Sequence, residues 1–423
     1  MKNKHVTDDR EGPKKSRNKL FLKFLLTLGP GLVVMFADTD AGSIITAAQS
    51  GAVWGYKLLL LQVVLIPIVY MVQELAVRLG LVTGKGHGEL IREHFGKGWA
   101  WVSVSTLVIA CLGALVTEFA GIAGVGLLFG ISPWISVGAI VTFLLIIAWT
   151  GSYRKIERIA ILFGCFELAF AIVALMSHPD TGQIMNELAQ IPWHQSGYIY
   201  LVVANVGAVI MPWMIFYHQS AVVDKGLDIE DMKASRRDTA FGAVITQLVM
   251  IAVLVAVAAT IGKFHPGASL GTVQQVSSAL TPFLGKTAGI MLFSLGMLGA
   301  AVVAVIVVSL ATAWGVGEVS GYKRSLEHEP QEAPWFYLVY TGILILGAAL
   351  VLSGINLVNL SIAVQVLNAM LLPIVLGFLY LLAARALPGR YRLKGTYSWV
   401  VGALVVVSSV FGVIAAIIPI YNW

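Results

Sequence analysis

The feature that most restricts this chain is a succession of apolar stretches, each near or above the ~20 residues that a helix needs to cross a hydrocarbon core of about 30 Å. Lipid offers no hydrogen bonds, so a backbone inside it must satisfy itself, and long apolar runs do that as α-helices. Eleven stretches lie between charged or turn-rich breaks, at about 21–50, 57–79, 100–130, 135–152, 157–177, 198–223, 238–262, 287–320, 335–353, 358–384 and 398–419. The first, third, sixth and eighth exceed a straight crossing, which implies tilt, kinks or a break inside the membrane. Composition agrees, with 58% hydrophobic and 12% charged residues against the roughly 25% charged of a soluble domain. The expected fold class is an all-α integral membrane protein of about eleven transmembrane helices.

Charge placement orients those helices, because short cytoplasmic loops retain Lys and Arg. With the N-terminus inside, 25 of the 28 Lys and Arg fall on one side, and only Lys57, Lys263 and Lys286 on the other. An odd number of spans then puts the tail after Tyr421 outside. The expected placement is multi-pass in the cell membrane, with residues 1–20 a basic cytoplasmic tail and 21–423 a single transmembrane domain. The tail is not read as a signal-peptide n-region, because the apolar run after it is long and holds Asp38 and Asp40. The formal net charge of +6 is therefore a topology signal. No basic groove or interleaved aromatic patch accompanies it, so the bilayer and not a nucleic acid is the expected partner. Cys111 and Cys165 fall within spans and read as small apolar fillers.

Two spans carry breaks. The first reads Gly29-Pro30-Gly31, then apolar residues, then Asp38-Thr39-Asp40-Ala41-Gly42-Ser43. A carboxylate at that depth costs at least ~2.5 kcal/mol and needs a partner. Local unwinding beside small residues lets it face a polar cavity. The sixth span reads Ala208-Val209-Ile210-Met211-Pro212-Trp213. Pro212 removes a helical donor and clashes with the Ala208 carbonyl, which is expected to be free to bind a cation. The breaks open spans one to five and six to ten respectively, the pattern of inverted repeats over about 21–177 and 198–384, with a final helix at 398–419.

At these residues the chain resembles the Nramp family of divalent metal transporters. Gly29-Pro30-Gly31 opens the first helix and Gln49-Ser50-Gly51-Ala52 follows it. Asp40-Ala41-Gly42-Ser43 falls on the family's D-P-G-N stretch and Met211-Pro212-Trp213 on its M-P-H stretch. Arg78-Leu79-Gly80, Val82-Thr83-Gly84 and Arg154-Lys155-Ile156-Glu157 extend the match. The resemblance implies a leucine-transporter-like fold with a metal between spans one and six, held by the Asp40 carboxylate, the Met211 thioether and the Ala208 carbonyl. Gln365, eight residues before Pro373, matches a glutamine that the family can bring to the metal; on its own it reads equally as a helix-packing amide.

The departures from the family pattern bear on the cargo. Ser43 replaces an Asn amide with a shorter arm, and Trp213 replaces a titratable His. Glu118 matches an acid of the family's proton path, but the Asp one turn earlier is Leu115, and the polar part of the eighth helix becomes the apolar stretch 301–308. That combination resembles the Nramp-related magnesium transporter branch. Magnesium keeps several waters and touches one or two carboxylates, which suits Asp40 with Ser43. The thioether favours softer ions, so manganese is expected as well. The expected cargo is Mg2+ together with Mn2+, with no resident cofactor and no obligatory proton coupling. Proton-coupled Mn2+ or Fe2+ transport is the alternative.

Two further groups keep two readings. Asp38 either lines the entry path or reaches a polar partner, and His218 is either a relic proton carrier or a packed neutral histidine. Glu167 and Glu318 read as partners of Arg or Lys, and Glu74 as the i,i+4 partner of Arg78. A membrane metalloenzyme fits less well, since the eight His show no H-E-x-x-H pairing. An organic-substrate symporter is disfavoured by two acids and a Met at the breaks, and a channel would be distinguished by flux that does not saturate. No enzymatic activity is expected.

Overall fold

Acidic and small residues, not a loss of hydrophobicity, decide where the first helix stops. The computed structural model describes residues 29–149, 152–265, 267–283, 285–353 and 357–421. The basic tail, the start of the first expected span and the residues after Tyr421 lie outside the described residues.

In chain order the first half comprises α1 (Pro30–Asp38), α2 (Ala41–Trp54), α3 (Leu59–Thr83), α4 (His87–Phe95), α5 (Lys97–Leu128), α6 (Pro133–Ala148), α7 (Tyr153–Gly164), α8 (Ala169–Met176) and α9 (Thr181–Leu188). The second comprises α10 (Ser196–Val209), α11 (Pro212–Asp224), α12 (Met232–Val257), α13 (Val273–Leu280), α14 (Lys286–Ser320), α15 (Pro334–Leu352), α16 (Leu357–Arg385) and α17 (Gly395–Tyr421). Among the described residues nine helical segments are long and apolar enough to cross a membrane, and α1 with α2 forms a tenth, bent by 48°. The expected fourth span is α6, an apolar helix of 16 residues. Each of the eleven expected spans therefore has a helical counterpart.

Three features were not anticipated. The fifth span is interrupted by a 3-10 turn at Cys165–Leu168 between α7 and α8, and the seventh ends in a π turn at Ala258–Gly262. Such irregular turns inside helices commonly mark functional positions or strain. Short helices α4, α9 and α13 occupy connections that read as loops.

Small residues let the helices that build the centre approach closely, as they do wherever lipid removes the ordinary hydrophobic drive between helices. A Cβ added at Gly207 of α10 would strike the backbone carbonyl of Gln365 on α16, and one at Gly121 of α5 would lie 2.7 Å from the Ala41 methyl. Both ends of the first span are also tied down. Asp238 of α12 accepts from the backbone N–H groups of Gly29 at 3.2 Å, Gly31 at 2.8 Å and Leu32 at 3.2 Å, so a neighbouring helix caps α1. Gly29 has φ of 151°, and a side chain there would strike the Glu157 carboxylate, which pairs with Lys225 at 2.8 Å. At the other end Asn205 donates to Ser50 Oγ at 2.8 Å and accepts from Gln62 at 2.6 Å. Gln49 donates to Ser269 Oγ at 2.9 Å and accepts from the Leu270 N–H at 2.9 Å, holding the segment after the seventh span. Glu74 is paired with Arg78, as its spacing implied, and also with Arg236.

Candidate functional site

Helix α1 stops at Asp38, and α2 starts two residues later. Thr39, at φ −78° and ψ 46°, and Asp40, at φ −69° and ψ 170°, leave the helical region between them. The new helix has unsatisfied N–H groups, and acids take them. Asp40 Oδ1 accepts from the Ser43 N–H at 2.6 Å, making Asp40 the N-cap. Glu118 of α5 reaches across, its Oε2 accepting from the Ala41 N–H at 3.0 Å while Oε1 accepts from the Thr117 hydroxyl at 3.2 Å. Asp40 Oδ2 is buried and has no hydrogen-bond partner among the described residues.

The sixth span breaks differently. Helix α10 ends at Val209; Ile210, at φ −121° and ψ 86°, and Met211, at φ −96° and ψ 140°, are extended, and Pro212 opens α11. Proline suits that first helical position, where its missing N–H is not needed. Met211 is the N-cap residue without a side-chain capping bond, so its thioether is not consumed in holding the helix, and it is fully buried.

Between the breaks Ser43 Oγ donates to the Ala208 carbonyl at 3.0 Å. This corrects the expectation of a free carbonyl: Pro212 withdraws the helical donor, and the Ser43 hydroxyl supplies another. A hydroxyl rotates freely about its C–O bond and also carries two lone pairs, so an arriving cation can take both oxygens once the proton turns away. Gln365 of α16 completes the enclosure, its Nε2 donating to Asp40 Oδ1 at 3.4 Å and its Oε1 accepting from Asn368 at 2.9 Å. To offer an oxygen to a cation its amide must turn. Gly42 makes the approach of Gln365 possible, since an added Cβ would lie 2.5 Å from Gln365 Nε2.

Asp40, Ser43, Ala208 and Gln365 are thus brought together, with Met211 at the adjoining break; all five are buried. Among the described residues no group of three or more His, Cys, Asp or Glu is arranged to hold a metal ion. The arrangement offers one unpartnered carboxylate oxygen with neutral oxygen donors, which suits transient holding of a cation better than a resident metal.

The remaining sequence candidates lie apart from this cluster or bond elsewhere. Asp38 turns to α12, where it accepts from Thr246 Oγ1 at 3.3 Å. His218 is buried with its Nδ1 3.0 Å from Gln73 Oε1, and Trp213 is buried with its indole N–H unpartnered among the described residues. Glu318 has an Arg partner, Arg324 at 3.8 Å, and accepts from Ser220 at 2.5 Å and from the Gly88 N–H at 2.8 Å. Glu167 corrects its expectation: it is wholly buried in the 3-10 turn, and neither carboxylate oxygen has a partner among the described residues. Sequence reasoning also missed the Asp238 cap. It stands at the start of the expected seventh span, where nothing in its local pattern marks it as the cap of another helix.

The family pattern Nramp, natural resistance-associated macrophage protein-like, matches residues 31–417. The chain is 29% identical to the divalent metal cation transporter MntH of Pectobacterium carotovorum subsp. carotovorum over 293 residues, 68% of this chain and 71% of that protein. It is 28% identical to the protein of the same name from Aeromonas hydrophila subsp. hydrophila over 390 residues, 88% and 90% of the two chains. Among solved structures, the Eremococcus coleocola manganese transporter superimposes with a TM-score of 0.76 at 19% identity, covering 97% of this chain and 88% of that one. MhsT in complex with L-phenylalanine superimposes with a TM-score of 0.65 at 14% identity, covering 92% and 98%. These likenesses place the fold in the leucine-transporter-like class.

Proposed function

This chain belongs to the Nramp family, and from that premise we propose that it carries Mg2+ and Mn2+ into the cell by alternating access, without obligatory proton co-transport. It is a multi-pass membrane transporter of divalent metal cations, as its curated relatives are named. The observation that carries the reading is the unpartnered Oδ2 of Asp40 at a helix break, on a carboxylate whose Oδ1 holds Ser43 and Gln365, with the Ala208 carbonyl joined through Ser43. Asp40 supplies the charge, and Ser43, the Ala208 carbonyl, Met211 and Gln365 act as neutral ligands. The short Ser43 arm leaves room for water that magnesium retains, while Met211 extends acceptance to manganese.

The uncoupled reading rests on Trp213 and Leu115, side chains that cannot exchange protons near working pH, and on the apolar stretch 301–308. His218, hydrogen-bonded to Gln73, serves packing, and Glu118 holds the Ala41 N–H. A dication entering a cell is driven by the membrane potential alone with ~4.6 kcal/mol at 100 mV. That corresponds to roughly thousandfold accumulation. The positive-inside distribution orients the protein with its N-terminus in the cytoplasm and its C-terminus outside. Residues 21–423 act as one transmembrane domain, in which repeats 21–177 and 198–384 meet at the metal, and the final helix 398–419 packs against α16.

The test loads proteoliposomes with a pH-sensitive dye, clamps the potential and adds Mg2+ or Mn2+ outside. Saturable uptake of both metals with no metal-dependent acidification is expected. Acidification at a fixed proton-to-metal ratio would overturn the uncoupled reading, and uptake of Mn2+ without Mg2+ would overturn the cargo assignment.

A further inference from the structure

Beside the Asp40 cluster, the same break presents a second set of oxygens toward different helices. Asp38 Oδ2 accepts from the Thr246 hydroxyl at 3.3 Å, and Thr246 shares a 2.7 Å hydrogen bond with the Thr39 hydroxyl. Asp38 Oδ1 has no partner among the described residues. A third element contributes independently. The 3-10 turn of the fifth span brings Glu167, wholly buried, beside Thr39 and within electrostatic reach of Asp38. Gly164, just before that turn, makes the approach possible, because an added Cβ would strike the ring of Phe36 on α1.

Among the described residues three of the four carboxylate oxygens of Asp38 and Glu167 therefore lack a well-formed hydrogen bond, Glu167 having only the Thr39 hydroxyl beside it, and no Lys or Arg forms an ion pair with either. Buried charge needs compensation, and an unsatisfied carboxylate aimed into a polar cluster supplies ligands for it.

We infer that Asp38, Thr39, Thr246 and Glu167 form a second cation site, distinct from the one at Asp40, that takes a hard divalent cation such as Mg2+. Every donor is oxygen, two are carboxylates, and neither sulfur nor imidazole is among them, which is the donor set of hard dications. The two negative charges match a dication. The ion joins the end of α1 to α12 and to the fifth span, so occupancy holds the segment from which Asp40 projects. Two dications flanking one break repel each other, so filling either site weakens the other, and by linkage the weakening is mutual. The transport role of this second ion rests on the function proposed above, whereas its binding does not.

Isothermal titration of the purified full-length protein separates the sites. The wild type is expected to bind two Mg2+ per chain. Glu167→Gln is expected to bind one and to retain Mn2+ affinity within about twofold, since Met211 and Asp40 are untouched. Asp40→Ala is expected to lose the Mn2+-preferring site and retain one Mg2+. If Glu167→Gln does not remain monodisperse, Thr246→Val takes its place with the same expectation. One Mg2+ per chain in the wild type, or unchanged stoichiometry in Glu167→Gln, overturns the site. Wild-type metal uptake by Asp40→Ala would instead overturn the transport reading, leaving the stoichiometry to be judged by itself.

Discussion

The two helix breaks do different work with different residues. The first bends the chain by 48° and sets Asp40 and, from α5, Glu118 on the N-terminus of α2, an end that favours negative charge, while Asp38 closes α1. The second, at Ile210 and Met211, carries no charged group, and the segment Ser196–Asp224 crosses without a comparable bend. Acids at a helix N-terminus are stabilised by the backbone they cap, so the first break can hold charge in lipid. The second opens because Pro212 cannot donate, and its products are a carbonyl and a thioether. On the proposed function, the first break supplies the charge that binds the cation and the second supplies the thioether that selects among cations.

The largest effect expected of that division is at Asp40. Asp40→Ala should abolish uptake of Mg2+ and Mn2+ alike in proteoliposomes, because no neutral ligand replaces the charge. Wild-type-like uptake would remove the first break from the site. Next comes Gly207→Ala, which forces a methyl onto the Gln365 carbonyl. Overpacking of that kind costs about 1–3 kcal/mol, so a lowered melting temperature together with impaired uptake is expected; unchanged thermal stability would show that α10 and α16 can separate freely. Met211→Ala should weaken Mn2+ binding by about tenfold while leaving Mg2+ within about twofold, since a thioether stabilises mainly the softer ion. Equal losses on calorimetric titration would end the assignment of selectivity to the second break. The smallest change belongs to Gln365→Ala. Its contact with Asp40 is 3.4 Å long, and a hydrogen bond of that kind contributes about 1 kcal/mol or less. Affinity for either ion should fall by no more than about fivefold; a loss as complete as that of Asp40→Ala would make Gln365 a principal ligand.

Much of this was legible in the residues themselves. Apolar runs located the spans, and Asp40 with Gly42 and Met211 with Pro212 located both breaks to within a residue or two. The site's surroundings were less legible where a residue's local pattern pointed elsewhere. Asp238 read only as the first residue of the seventh span yet caps α1, and Glu167 looked like an ion-pair partner yet sits beside Thr39 with no ion pair among the described residues. The Ala208 carbonyl was expected to be open, and the Ser43 hydroxyl occupies it.

The sequence by itself determined the solvent, the places of the apolar helices and the points where helices must stop, because hydrophobic run length, charge and proline act within a few residues of where they stand. Only the tertiary structure decided which groups meet at those points. Ser43 meets Ala208 across 165 positions, Ala41 meets Glu118 across 77, and Asp38 meets Thr246 across 208. Hydrogen bonds of that reach follow from how α5, α10, α12 and α16 pack around the first break, and buried polar groups take whichever partner that packing delivers.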